Sequence, residues 1–276
     1  EYNMRKGVKT LIRDIIDNRV SKTYVKEYQR LLKVNNIKNV EVKGEQEWID
    51  KWSILGRANP IYYRLFSKYI GADINIVPED ICHNIIEPIL NPLQLVPYYS
   101  DKNVFDYLFE DGIMPRTILR KINGFFHDSK YNFIKIDNNK LYQILNDNGI
   151  DRVIVKPSTD CSGKRIMIFN LREGEWLDHM EERSLNMELL NSIYPNGFVM
   201  QECLKQHPYM AQFNQSSVNT IRISTYKSVV DNRSHITGAF LRIGAAGSIV
   251  DNAHAGGGIV GIMKNGELCH NTIDQH

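Results

Sequence analysis

Along the chain, apolar residues recur first at helical and later at strand spacing. Val8, Leu11, Ile12, Ile15 and Ile16, then Val20, Tyr24, Tyr28, Leu31 and Leu32, fall mostly three and four residues apart. This predicts one or two amphipathic helices over residues 5–35, with a lysine- and arginine-rich outer face. Such a face suits docking on a membrane surface or a biosynthetic complex. It also suits a packing helix with a solvated flank, which is the expected use. Between Glu47 and Gly71, Trp48, Trp52, Tyr62, Tyr63, Phe66 and Tyr69 predict short helices with an aromatic seam. The rings would stack on a sugar-bearing substrate or pack helices together; packing is again expected. Pro78–Glu79–Asp80 before Ile81, Ile85 and Ile86 is a helix start. Pro88, Pro92 and Pro97 then break the chain, so residues 87–100 are the expected linker after a helical N-terminal region, 1–97.

Beyond the prolines the pattern changes. Val104, Phe105, Leu108 and Phe109 predict a short helix after Asp101, stopped by Gly112 and Pro115. Leu141, Ile144 and Leu145 predict a second, ending at Gly149, and Leu185 to Ile193 a third. Val153–Val155, Ile166–Phe169, Phe198–Leu204, Ser217–Tyr226 and Gly238–Gly244 read as strands, with a possible hairpin over Gly261–Leu268. Helices and strands in this order, without strict βαβ repetition, predict an α+β fold over residues 98–276.

Composition narrows the function classes. With 276 residues, 42% apolar and 24% charged, the chain reads as a soluble globular protein. A net charge of +2 argues against nucleic-acid binding, and no apolar run approaches the ~18 residues of a membrane span. Cys82, Cys161, Cys203 and Cys269 are far apart and form no CxxC pair. They point to a reducing compartment, with the cytoplasm as the expected location.

The candidate chemistry begins at Lys156, which follows the first apolar strand. The loop after it, Pro157 to Lys164, is rich in hydroxyls and holds Ser162 and Gly163. Such a loop either turns N–H groups toward an anion or is a plain polar hairpin turn. Downstream stand Gln201–Glu202 at a strand end, Asn219 and Arg222 in NTIR, Arg242 in another strand, and DNAHAGGG with Asn252 and His254. An arginine inside an apolar run needs a matched charge, which a cross-strand ion pair or a bound polyanion would supply.

These motifs, in this order and spacing, resemble the ATP-grasp enzymes over roughly residues 85–262. QHPYMAQFNQSSVNTIRIST is similar to the sugar-transfer-associated branch, and Asp101–Lys102 followed by GIMP (Gly112 to Pro115) resembles the start of the family's nucleotide-binding region. The resemblance implies an ATP-grasp fold of two α+β lobes clasping ATP. Lys102, Lys156, Ser162, Gly163 and Lys164 would meet the phosphates, and the loop would act as a mobile lid. Gln201, Glu202, Cys203 and Leu204 would border the adenine, with Asn219 nearby. Arg222, Arg242, Asn252 and His254 would serve catalysis.

The implied activity is ADP-forming ligation of a carboxylate to an amine through an acyl phosphate, in surface-polysaccharide or glycoconjugate modification. The partners would be a small-molecule or glycan-linked carboxylate and an amine. A phosphotransferase or a non-catalytic nucleotide-binding module on the same scaffold are the alternatives. The resemblance also implies Mg2+, held by an acidic residue and a Glu-x-Asn pair beyond the glycine loop. Asp251, Asn252, Glu267 and Asp274 lack that spacing, so the metal ligands stay unassigned and the region is expected to be incomplete at its C-terminal end.

Overall fold

The computed structural model describes residues 21–109, 112–160, 163–180 and 182–273, with the side chains of His254 and residues 271–273 excepted. The predicted apolar positions Val8 to Val20, together with Ser162 and Asp274, lie outside the described residues. The chain divides into two compact units between Val96 and Pro97.

The first unit is helical. It contains α1 (residues 21–34), α2 (Glu45–Trp52), α3 (Pro60–Ile70) and a helical stretch α4 (residues 79–90) whose middle turn, Cys82–Ile86, is a π-helix. Asn59 starts α3 by accepting from the Ile61 N–H at 3.1 Å, and Pro60 occupies the first turn. The aromatic seam is core: Trp48, Tyr62 and Tyr63 are buried with Tyr28 and Leu32, whereas Tyr69 is exposed. Both indole N–H groups are satisfied, Trp48 donating to the Ile76 carbonyl at 2.6 Å and Trp52 to that of Ile74 at 3.0 Å. The proline-rich stretch 87–100 is not extended but forms three short helical turns.

The second unit holds two antiparallel sheets. The larger has strand order β2-β1-β6-β3-β4-β5, and the smaller β10-β9-β8-β7. In the larger sheet, β1 is Thr117–Ile122, β2 Phe125–Asp128, β3 Arg152–Pro157, β4 Met167–Arg172, β5 Glu175–Asp178 and β6 Phe198–Glu202. The smaller comprises β7 (Thr220–Lys227), β8 (Ser234–Ile243), β9 (Gly258–Ile262) and β10 (Leu268–Ile273). Two helices, α5 (Asn138–Asp147) and α6 (Met187–Ile193), contribute Leu141, Leu145 and Leu190 to the core of the larger sheet. Each starts at a side-chain cap, Asp137 accepting from the Lys140 N–H and Asn186 from that of Leu189.

A buried cation fixes the start of this unit. The predicted helix after Asp101 opens as a 3-10 turn, Lys102–Val104, and continues as one α-helical turn, Phe105–Leu108. Arg120 of β1, fully buried, reaches under it and grips both Asp106 oxygens at 3.0 and 2.5 Å. It also donates to the Asn103 and Ser129 carbonyls at 2.6 and 3.1 Å and lies 3.8 Å from the centre of the Tyr131 ring. Burial works against charge on Asp106, but hydrogen bonds from Arg120 and Tyr131 outweigh it and hold the carboxyl below its ordinary range. Removing one member would strand the other's charge. Arg120→Ala is therefore expected to lower stability by about 3–5 kcal/mol in chemical denaturation. A change within experimental error would show that the pair does not anchor the turn.

Candidate functional site

Strand β3 has two different faces. Val153 and Val155 point into the core, while Arg152, Ile154 and Lys156 point the other way, following the two-residue period of a strand. The register continues the division across the sheet. Val155 pairs with Met200 on the core side, and Ile154 pairs with Gln201 and Ile168 on the other. That second face borders a cleft of about 1040 Å³. Ile154, Ile166 and Ile168 make an apolar wall with Lys156 beside it, and Ser216, Thr220, Val250 and Asp251 line the cleft as well. A slot of branched aliphatic side chains next to an ammonium suits a ligand with one flat apolar part and one anionic part.

Lys156 sits half-buried, its Nζ 3.2 Å from Gln201 Oε1. Gln201 is held in turn by its amide nitrogen, 3.3 Å from both the Pro115 carbonyl and Thr117 Oγ1. It thus faces Lys156 with an acceptor and orients the ammonium. Burial pulls the Lys156 pKa below the ordinary lysine range; Cys203 works the other way, and Lys102 adds to the depression. Lys102 itself donates to the Asp160 and Ser158 carbonyls at 2.5 and 3.4 Å, so it holds the base of the loop after β3. Across that base Arg165 grips Asp160 Oδ2 at 3.0 and 2.5 Å. Beyond it Lys164 is exposed. Gly163, at φ 72°, lies so close to Val250 that a Cβ would sit 3.3 Å from Val250 Cγ1, which brings the loop against the segment after β8.

The end of β6 opens in a defined way. The Glu202 N–H donates to the Arg116 carbonyl at 3.0 Å and that of Cys203 to Arg152 at 3.4 Å. Among the described residues the Leu204 N–H has no partner. Nearby, the buried Gln206 amide nitrogen is also unpartnered, and both residues line the cleft. Leu204 is exposed, so its N–H is open to solvent, whereas a buried donor without an acceptor, such as the Gln206 amide, is uncommon in folded proteins. Glu202 lines the cleft too, but its carboxylate pairs with Arg116 at 2.9 Å. Burial raises the Cys203 thiol pKa, which keeps it protonated.

The smaller sheet places the remaining predicted residues. Thr220 faces Arg242 in register and Arg222 faces Phe240, so both arginines lie on one face of the sheet. Arg222 is exposed, without an ion pair among the described residues. Arg242 pairs with Asp251 at 3.0 Å, and Thr220 Oγ1 donates to the other Asp251 oxygen. The ion-pair alternative therefore holds for Arg242, with a loop carboxylate rather than a cross-strand one. Asn219 does not line the cleft. It is buried, donates to the Met210 and Asn214 carbonyls at 2.8 and 3.0 Å and accepts from the Gly244 N–H at 3.3 Å, which ties the 210–214 turn to the end of β8. Asn252 stands before a 3-10 turn, Ala253–Ala255, that contains His254. A Cβ on Gly257 would meet the Ile243 and Asn252 carbonyls at 2.7 and 2.9 Å, so only glycine fits there.

The sequence profile described as sugar-transfer associated ATP-grasp matches residues 83–276, more than half of the chain. The chain belongs to this family. Its fold is accordingly the ATP-grasp fold, and its family supports ATP-dependent, ligase-type activity in a sugar-transfer setting. No curated protein and no solved structure matches it. Gln206 lines the cleft, and Arg116 and Arg165 hold the Glu202 and Asp160 carboxylates near it; sequence reasoning assigned none of the three a role. Gln206 carried a signal, standing four residues after the Glu202 that the motif singled out. Arg116 carried none, since its partner Glu202 comes from a distant segment, and Arg165 carried none beyond its place five residues after Asp160.

The lining fits a nucleotide in kind: an apolar wall of Ile154, Ile166 and Ile168, the Lys156 ammonium beside it, and the unpartnered Gln206 amide. Among the described residues no group of three His, Cys, Asp or Glu ligands converges at the cleft, and Asp251 and Glu202, the carboxylates named at its wall, are engaged by arginines. A lysine with a lowered pKa destabilises the fold below that pKa, because the unfolded chain binds its proton more tightly. Stability is regained as pH rises from the folded value toward the unfolded one. Lys156→Met should therefore raise the melting temperature at neutral pH, with the gain shrinking as pH rises toward about 10 and absent above it. A lower melting temperature at neutral pH would mean that Lys156 is a structural residue.

Proposed function

We propose that the chain is an ADP-forming carboxylate–amine ligase whose nucleotide occupies the cleft between the two sheets of the second unit. The observation that carries this reading is the alignment, along one strand face and strand end, of an apolar slot, a partly buried ammonium, the open Leu204 N–H and the unpartnered Gln206 amide. The adenine lies against Ile154, Ile166 and Ile168, and the Leu204 N–H and the Gln206 amide meet its polar edge. Lys156, held by Gln201, meets the phosphates. Lys102 shapes the loop that covers them rather than touching them, because its ammonium is already spent on the Asp160 and Ser158 carbonyls.

Bound ATP supplies a phosphoryl group that makes a carboxylate into an acyl phosphate, which an amine attacks with loss of phosphate. Negative charge grows on oxygen in both steps, so cations fixed beforehand lower both barriers. Arg222, exposed on the same sheet face as Arg242, is placed to meet the substrate carboxylate. Arg242 serves chiefly to hold Asp251 at the cleft wall. The substrates are a small-molecule or glycan-linked carboxylate and an amine, consistent with the sugar-transfer setting of the family. Mg2+ accompanies ATP in this fold generally, and no step here is assigned to it.

Three outcomes follow. Lys156→Ala should weaken ATP binding at least about tenfold in calorimetry while the circular dichroism spectrum stays the same, since a charge-assisted contact to phosphate is lost. Unchanged affinity would remove Lys156 from the site. Arg222→Lys keeps the charge but loses the planar fork, and should lower turnover far more than ATP affinity. With the amine omitted, hydroxylamine should trap the activated carboxylate; a stable phosphoester instead would make the protein a kinase.

A further inference from the structure

The π-turn of α4 carries a group of side chains that the nucleotide site does not use. Glu87 N–H donates to the Cys82 carbonyl, the five-residue spacing that defines a π-helix. In an α-helix, residues five apart stand about 140° apart around the axis, on different faces. The wider π-turn, with about 4.4 residues per turn, reduces that to about 50°. Cys82 and Glu87 are thereby brought to one face, and His83 joins them one residue on from Cys82. Among the described residues, Cys82, His83 and Glu87 form the only such group whose ligand atoms all lie within 4.8 Å of one another.

We propose that this π-turn binds one divalent transition-metal ion of the zinc type through Cys82 Sγ, a ring nitrogen of His83 and a carboxylate oxygen of Glu87. The donor set is soft sulfur, imidazole and a single carboxylate, which suits Zn2+ or Co2+ and disfavours the all-oxygen ions Mg2+ and Ca2+. Zinc bonds of about 2.0–2.3 Å put tetrahedral ligands about 3.3–3.8 Å apart, within the 4.8 Å span of the group, with only side-chain adjustment needed. His83 and Glu87 are exposed, and rotation of their side chains accomplishes this without backbone movement.

Three contacts already prepare the group. His83 Nδ1 lies 2.8 Å from Glu87 Oε2, a proton-mediated contact that a cation would replace. Tyr24 stacks on the imidazole at 5.9 Å between ring centroids. Glu79 Oε1 stands 3.7 Å from His83 Nε2 and accepts from Tyr28 at its other oxygen. Among the described residues neither Glu79 nor Glu87 pairs with lysine or arginine, so the turn carries carboxylate charge that a cation would neutralise. Three protein ligands leave a fourth position to water, the arrangement of an open rather than a closed zinc site.

The test uses the full chain titrated with Zn2+ by calorimetry and with Co2+ by absorption. One equivalent should bind, and Co2+ should give a near-ultraviolet sulfur-to-metal charge-transfer band. Cys82→Ser should abolish the band, while Cys203→Ser and Cys269→Ser should leave it unchanged. His83→Gln, at an exposed position that folding does not depend on, should weaken Zn2+ binding by more than about tenfold. A band that survives Cys82→Ser, unchanged Zn2+ affinity in His83→Gln, or no saturable binding by the unmodified chain would overturn the assignment. ATP binding is read separately, so neither result depends on the proposed ligase activity.

Discussion

Strand β3 must face two environments at once, and the second unit is organised around that constraint. Its period of two sends Val153 and Val155 into a closed core and Ile154 and Lys156 into an open cleft. A slip of one residue against β4 or β6 would exchange the faces, burying the lysine among leucines and exposing the valines. Pairing on both sides prevents this, because β3 lies between β6 and β4 in the middle of the sheet. Register, core and site are thus one decision made by five residues.

The same arrangement explains why the site costs stability. A lysine drawn partly out of water and a buried amide donor without an acceptor are both features that a purely structural design would avoid. In the proposed function, both groups gain a partner from the bound nucleotide. Compensation lies elsewhere in the unit, in the buried Arg120–Asp106 pair and the Asp160–Arg165 clamp, which hold the segments flanking the cleft. The cations of this unit therefore divide into those that brace the frame and those left to meet a ligand.

That division marks the limit of what the sequence reveals. The apolar β-branched runs announced β3, β4, β6, β7 and β8, and the helix caps at Asp137 and Asn186 stand where the pattern begins. Strands β1, β2 and β5 were not evident, because β1 carries Arg120 and Lys121 at its centre and the other two are only four residues long. The charged pair in β1 is paid for by Asp106, Asn191 and backbone carbonyls, partners no local pattern predicts. Asn219 was legible as a polar residue in a strand-like run but not as a brace, since its acceptors come from the preceding turn. The aromatic seam, by contrast, was readable: rings at helical spacing between short helices formed a core.

Hydrogen exchange at the end of β6, with and without ATP, addresses the nucleotide site most directly. Glu202 and Cys203 N–H groups are already bonded to Arg116 and Arg152, whereas that of Leu204 is not. Saturating ATP should slow exchange at Leu204 strongly and leave Glu202 and Cys203 nearly unchanged. Protection that appears elsewhere while Leu204 exchanges as before would contradict the placement of the nucleotide in this cleft.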